Sequence, residues 1–248
     1  VDATGQSAFL ASRLGLKDTD PALKKATIWT YFENARRDPG KDEGATLIMQ
    51  TAEKQSWFWF IPLPGNVTSI GCTADISVLF PPDSTAEESY NRELQRCPAM
   101  LERLGNATRV RDYLTTKDYT YYARQGAGPG WMLVGDAYGF IDPVYSSGVF
   151  LALKSGEFAA DAIHEAFEKN DFSAAQLGSW LSEHARGVAV FRKLVYAFYN
   201  PNFSFGQFLK MHPEFRSHVT DILIGDVFKP DFDACFATMG DVTPPVPA

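Results

Sequence analysis

Gly130-Trp131-Met132-Leu133-Val134-Gly135-Asp136-Ala137-Tyr138-Gly139-Phe140-Ile141-Asp142-Pro143-Val144-Tyr145-Ser146-Ser147-Gly148 is the stretch that decides the fold of this 248-residue chain. Residues 131–134 are a short apolar run, long enough for a strand buried on both faces, and Gly135 lets the backbone turn tightly after it. Asp136 is thereby delivered to the C-terminal end of a strand, where α/β folds place ligand contacts. Pro143 interrupts any early helix, and Ser146 or Ser147 can cap the amphipathic helix that follows. The first-turn N–H groups of that helix point at whatever occupies the cleft in front of it, which favours an anion or an electron-rich ring. By itself Gly135-Asp136 is a common turn or cap; the whole ordered string is far more specific.

The string Gly-Asp-Ala-x-Gly-Phe-Ile-Asp-Pro-x-x-Ser-Ser-Gly resembles the second FAD-binding motif of the flavin monooxygenase and flavin-dependent halogenase superfamily. In that superfamily the Gly-Asp pair binds the ribityl part of FAD. The opening Val1-Asp2-Ala3-Thr4-Gly5-Gln6-Ser7 resembles the Asp-Ala-Ser-Gly strand end found midway through the same FAD-binding domain. The resemblance implies an α/β chain carrying part of a p-hydroxybenzoate hydroxylase-like FAD-binding fold, with an inserted antiparallel β-sheet substrate domain and a C-terminal helical region. It implies Ala3, Gly5, Gly135, Asp136, Gly139, Pro143 and Gly148 as cofactor-binding residues. The Gly-x-Gly-x-x-Gly loop that normally holds the pyrophosphate is not in this sequence. Gly126-Ala127-Gly128-Pro129-Gly130 does not replace it, because it precedes a strand instead of following one. The expectation is a C-terminal fragment that binds FAD weakly alone and is completed by an N-terminal polypeptide.

Trp57-Phe58-Trp59-Phe60-Ile61-Pro62 is the second informative run. In a strand Trp57, Trp59 and Ile61 face one side and Phe58 and Phe60 the other, which places the two indoles about 7 Å apart along the chain. Periodicity alone reads this as sheet core. The run also resembles the Trp-x-Trp-x-Ile-Pro motif of flavin-dependent halogenases, where the indole wall keeps the organic substrate away from flavin-activated oxygen so that halide is oxidised instead. The resemblance implies Trp57 and Trp59 as catalytic residues and Ser147 with Gly148 as the halide site, for chloride or bromide. Tryptophan halogenases carry a glutamate two residues before the second of the Ser/Thr positions, and Tyr145 stands there in this chain. A phenol- or pyrrole-type aromatic substrate, free or tethered to a carrier protein, fits better, as does the likeness of residues 203–214 to halogenases acting on such rings. The family's catalytic lysine has no match here, Lys54 included. A flavin reductase supplying reduced FAD is the further partner implied. The competing readings are a flavin monooxygenase or geranylgeranyl-reductase-like oxidoreductase, and a truncated flavoprotein that persists as a non-catalytic binding module.

The rest of the sequence narrows the class by exclusion. A formal charge of −7 with only short basic runs, such as Arg36-Arg37, argues against a nucleic-acid surface. Cys72, Cys97 and Cys235 are an odd number without close pairs, which speaks against a disulfide framework and a thiolate zinc site and suits a reducing cytoplasm. His164, His184, His212 and His218 have no metal-ligand spacing and read as surface or packing residues. No apolar run reaches the roughly 20 residues of a membrane span, and neither a Gly-x-Ser-x-Gly elbow nor a Walker lysine loop occurs.

Along the chain the pattern predicts a short helix over 7–14, a polar connection over 17–21, and strands over 26–32, 45–49, 57–61 and 67–73. Helices are expected over 84–96 and 98–104, a tyrosine-rich strand over 118–123, and long helices over 148–169 and 173–199. An aromatic stripe follows from Phe203 and a frayed Pro-rich tail over 243–248. The expected domains are a partial FAD-binding domain over 1–15 and 131–169, a β-rich substrate domain over 16–130, and a C-terminal helical region over 170–248.

Overall fold

A computed structural model describes residues 1–229 and 231–244. They form two compact units: residues 1–22 together with the chain from 120 onward, and residues 23–119. The chain begins in the first unit with α1 (Phe9–Arg13) and β1 (Lys17–Thr19). It then builds the whole second unit from β2 (Lys25–Glu33), β3 (Leu47–Gln50), β4 (Ser56–Pro62), β5 (Val67–Asp75), α2 (Ile76–Leu79), α3 (Ala86–Gln95), α4 (Pro98–Leu104), β6 (Thr108–Arg109) and β7 (Leu114–Lys117). It returns to the first unit with β8 (Tyr121–Ala123), β9 (Ala127–Gly128), β10 (Trp131–Met132), β11 (Gly139–Phe140) and α5 (Gly148–Lys169). Helices α6 (Ala174–Leu177), α7 (Leu181–Tyr199), α8 (Phe205–Met211), α9 (Arg216–Leu223) and α10 (Asp233–Met239) complete it.

The second unit is an antiparallel sheet of order β3-β4-β5-β2-β6, with β7 also pairing β2. The alternation in β4 works as the sequence suggests: Phe58 and Phe60 join Ile28, Ile70 and Cys72 in a core closed by Tyr90 and Leu94 of α3 and Met100 of α4. The opposite face carries the indoles. α3 starts at a capping box in which the Thr85 side chain accepts from the Glu88 N–H and the Glu88 carboxylate accepts from the Thr85 N–H. The four expected strands and both expected helices are present here, with β3 starting at Leu47 instead of 45.

In the first unit Asp2 lies parallel to Leu133. Its N–H donates to the Met132 carbonyl at 2.8 Å, and its own carbonyl accepts from the Val134 N–H at 3.0 Å. A three-stranded antiparallel sheet of order β1-β8-β11 and a β9-β10 hairpin stand with it. Residues 17–19 are therefore a strand, not a loop, because β8 pairs with them from Lys17↔Ala123 to Thr19↔Tyr121. The expected 118–123 strand shrinks to β8, since Asp118 takes a left-handed φ of 54°. The expected single helix over 173–199 is two. α6 ends at Leu177, where the Trp180 indole N–H donates to the Leu177 carbonyl at 3.1 Å, and α7 starts at Leu181.

These pairings move the domain limits. Residues 16–22 and 120–130 belong with the first unit because β1, β8 and β11 share one sheet, so the inserted unit spans 23–119 and not 16–130. The helices after 170 pack within the same first unit and form no separate region. Of the tail expected over 243–248, the last four residues lie outside the described residues.

Candidate functional site

The quoted stretch folds as a strand, a 3-10 turn over Gly135–Ala137, the short β11, and then α5. Gly135 has a φ of +56°, a Cβ there would lie 3.1 Å from the Ala152 Cβ, and its N–H donates to Ser155 Oγ at 2.8 Å. The turn is thus clamped onto α5, and glycine is required for both the dihedral and the close approach. Gly139 is equally tight, since a Cβ would sit 3.0 Å from the Tyr121 carbonyl. On the other side, Asp2 Oδ1 accepts from the Thr4 N–H at 2.9 Å and Thr4 Oγ1 at 2.6 Å, and Oδ2 accepts from the Leu10 N–H at 2.7 Å. Burial would raise the Asp2 pKa, but these bonds outweigh it and hold the carboxyl below its ordinary value.

An open cleft of about 510 Å³ is lined by Ala3, Gly5, Gly135, Asp136, Pro143, Ser146 and Gly148 among others. Six of the seven residues expected to hold the cofactor thus converge, although Ala3 and Pro143 are far apart in sequence. The seventh, Gly139, lines a neighbouring, more enclosed cavity of about 200 Å³ together with Tyr121, Tyr138, Ser147, His184 and Arg192. Gly135, Asp136, Phe140, Gly148 and Ala152 line both spaces.

Asp136 is half-buried, and burial alone raises its pKa. Its backbone carbonyl accepts from Tyr121 Oη at 2.6 Å, and its carboxylate has no partner among the described residues. An acid brought to a cleft wall and left unpaired suits a ligand that brings hydroxyl donors. Tyr121 is pushed up to about 12 by burial and by the nearby Asp136 and Asp2 charges, so its phenol stays protonated and keeps donating.

α5 opens at Ser147, which is buried, but no serine side chain caps it. The expected cap fails because Ser147 is already helical at φ −80°, ψ −11°, whereas a capping residue needs extended dihedrals. Ser146 is left-handed at φ 53°. Ser147 and Gly148 therefore present the start of a 22-residue helix without a side-chain acceptor from its N-cap. Tyr145 does not line either space. Its ring meets Phe198 edge-on at 6.2 Å, and its hydroxyl donates to the Leu194 carbonyl at 3.3 Å.

The first 204 residues match the family model described as tryptophan halogenase. The chain belongs to the tryptophan halogenase family. Among its relatives is the 1H-pyrrole-2-carbonyl-[peptidyl-carrier protein] chlorinase of Pseudomonas fluorescens, 30% identical over 233 residues, or 92% of this chain and 51% of that protein. A flavin-dependent halogenase of Armillaria mellea is 33% identical over 187 residues, 68% of this chain and 37% of its own length. Among solved structures, the flavin-dependent brominase Bmp2 superposes with a TM-score of 0.83 at 25% identity, over 92% of this chain and 57% of that one. The chain spans between about a third and a half of the length of the curated relatives it matches. Family members are flavin-dependent halogenases, and the unpaired Asp136, the Gly135 turn and the converging cleft residues fit a flavin.

Trp57 and Trp59 belong to the other unit. Trp57 is 2% exposed, and Trp59 is half-buried with its Nε1–H donating to Ser69 Oγ at 3.1 Å. Trp29 joins them, giving ring centroid separations of 6.2 Å for Trp57–Trp59 and 6.4 Å for Trp29–Trp59. Trp59 lies across Gly71, where a Cβ would fall 2.2 Å from the indole Cζ2. Glycine in a strand signals such an approach, and that signal was present in the sequence. So was the four-residue spacing of His184, Val188 and Arg192, which marks one face of a helix. His184 takes the expected packing role: it is buried against Trp180 and Tyr138, at ring separations of 5.4 and 5.8 Å. The three cysteines are free and buried. No metal-holding cluster and no helix long and apolar enough to cross a membrane occur among the described residues.

Proposed function

We propose that this chain forms the flavin-ribityl, halide and substrate part of an FAD-dependent halogenase acting on a phenol- or pyrrole-type ring. The observation that carries the reading is the cleft, in which Ala3, Gly5, Asp136, Pro143 and Gly148 surround an acid without a partner. Bound reduced FAD would supply the electrons that activate oxygen for halide oxidation. Asp136 would accept hydrogen bonds from the ribityl hydroxyls, while Ala3 and Gly5 give close backbone approach on the adenosine side. Ser147 and Gly148 would hold chloride or bromide at the start of α5, where the helix dipole offers positive charge without an added cation.

Trp57 and Trp59 would route the oxidant toward the organic ring and keep that ring from the cofactor. The domain that carries them would be the substrate domain. A carrier-tethered substrate is supported by relatives named as pyrrole-2-carbonyl carrier-protein chlorinase and brominase. A flavin reductase and a polypeptide completing the cofactor domain are the proposed partners, and the cytoplasm the proposed location. The monooxygenase reading lacks a use for the paired indoles. FAD titration followed by turnover with chloride or bromide tests the proposal: halogen-dependent mass shifts in an aromatic product are expected, whereas hydroxylated product alone would refute halogenation. Absence of flavin binding even when the completing polypeptide is supplied would favour the non-catalytic module.

A further inference from the structure

In the second unit, the sheet face that carries the indoles runs into a basic hollow at its edge. Ile48↔Trp59, Trp59↔Gly71, Gly71↔Trp29 and Trp29↔Leu114 are direct cross-strand partners, so Ile48, Trp59, Trp29 and Leu114 stand in one row on one face. Leu114, at the end of the row, is 43% exposed. Trp29 is half-buried, and its Nε1–H has no acceptor among the described residues. Beside Leu114, an open hollow of about 670 Å³ is lined by Arg109, Val110, Arg111, Asp112 and Leu114. β2 pins its rim: the Val110 N–H donates to the Tyr31 carbonyl at 2.9 Å, and Thr30 Oγ1 donates to the Arg111 carbonyl at 2.7 Å. The Arg109 guanidinium lies 4.7 Å over the Tyr113 ring and 3.7 Å from a Glu87 carboxylate oxygen. The Arg111 guanidinium lies 5.6 Å over the ring of Tyr31, and no carboxylate pairs with it among the described residues. Tyr31 is two residues from Trp29 and shares its face of the sheet.

Charge and shape define the occupant. In a chain of formal charge −7, an exposed guanidinium that is stacked on an aromatic ring and lacks a counter-ion suits an anionic group, phosphate above all. The apolar row beside it suits an extended chain with few charges. A carrier protein's phosphopantetheine arm has that make-up: a phosphodiester at its root, two amides along its length and an acyl thioester at its tip. Arg111 lies over β2 and Trp59 stands on β4, two strand spacings away, or ~10 Å. The arm's about 13 bonds from phosphorus to sulfur reach ~15 Å when extended, enough to cross from the hollow to the indoles.

We propose that Arg111, with Arg109, binds the phosphodiester of a carrier protein's phosphopantetheine arm, and that the arm lies along the Leu114–Trp29 row with an amide carbonyl accepting from Trp29 Nε1–H. The acyl ring is thereby presented on the indole face of the inserted unit, away from the cofactor cleft residues. This names the docking surface for the carrier-tethered substrate and rests on that part of the halogenase reading.

The test is titration of the 248-residue chain with S-(pyrrole-2-carbonyl)phosphopantetheine and with its dephosphorylated counterpart, followed through the indole N–H resonances by nuclear magnetic resonance, the Trp29 signal being identified with W29F. Both compounds should shift the Trp29 resonance, and the phosphorylated one should bind about fivefold more tightly, the strength of one good exposed ion pair. That gap should close at about 1 M salt, where charges are screened within about 3 Å. R111L should lower the phosphorylated compound to the affinity of the other and leave the other unchanged, while R111K, which restores the charge, should keep most of the gap. Melting temperatures identify any variant that does not fold; R111K then carries the decision. Equal affinity of the two compounds for the parent chain, an R111L loss shared by both, an unmoved Trp29 resonance or no binding would overturn the proposal. Displacement of the arm by FAD would assign the hollow to the cofactor and overturn the docking surface while leaving the halogenase reading intact. Arm binding of the expected pattern, with no halogenated product from the completed protein, would refute that reading and leave the docking surface standing.

Discussion

Replacing Asp136 should separate cofactor affinity from stability in opposite directions. The carboxylate is half-buried, its pKa is raised by burial, and nothing among the described residues compensates its charge. A raised folded-state pKa means that the group's stabilising contribution is present below its unfolded value of 3.8 and is lost as pH rises through the folded value. At pH 7 the ionised Asp136 is therefore a liability to the unliganded fold, and Asp136→Asn should melt higher than the parent protein. The gain should shrink as pH falls toward 4. Toward FAD the sign reverses: a charge-assisted hydrogen bond is worth about 1.5–3 kcal/mol, so Asp136→Ala should weaken binding roughly 12- to 150-fold. Asp136→Asn keeps a neutral acceptor and should lose about 1–1.5 kcal/mol, roughly 5- to 12-fold. Flavin fluorescence titration gives the affinities, and thermal melts at pH 7 and 4.5 give the stabilities. Equal FAD affinity of all three proteins would remove Asp136 from the cofactor site, and a lower melting temperature of Asp136→Asn at pH 7 would refute the charge argument.

The other expectations concern the indole face and the Asp2 corner. Joint replacement of Trp57 and Trp59 by Phe should leave FAD affinity unchanged and reduce halogenated product per flavin oxidised, measured by mass spectrometry against oxygen uptake; collapse of folding instead would make the indoles sheet core alone. Gly71→Ala puts a Cβ 2.2 Å from the Trp59 ring, so denaturant unfolding should show a loss of about 1–3 kcal/mol from overpacking, and an unaltered midpoint would mean that the indole moves freely. Asp2→Asn removes a carboxylate whose pKa is held low by hydrogen bonds from Thr4 and Leu10 against the opposing effect of burial. A lowered folded-state pKa gives stability that is present above the unfolded value and lost as pH falls through the folded one, so the variant should lose about 1.5–3 kcal/mol at pH 7. The gap between Asp2→Asn and parent should narrow as pH falls below the unfolded value of 3.8; a gap independent of pH would show that the charge is not what matters.

Sequence alone determined whatever depends on neighbours along the chain. The turn at Gly135, the position of Asp136 after an apolar run, and the separation of Phe58 and Phe60 from Trp57 and Trp59 follow from local dihedrals and the two-residue period of a strand. The family resemblance of two motifs added the flavin and the halogenase class, which no periodicity supplies. Local rules failed at Ser147, because capping depends on a backbone conformation that the left-handed Ser146 and the Pro143 turn set before the helix begins.

Tertiary structure decided everything that requires distant segments to meet. Asp2 reaches Leu133 through a parallel bridge, which sets Ala3 and Gly5 beside the Asp136 cleft. β1 is a strand because β8 offers it partners across the entire inserted unit. His184 and Arg192 mark one face of a helix in the sequence, yet that face becomes a polar cavity wall only when α7 lies opposite β8, β11 and the start of α5. Burial, which lowers the pKa of the His184 imidazole, is a property of packed neighbours and not of the residue that carries it.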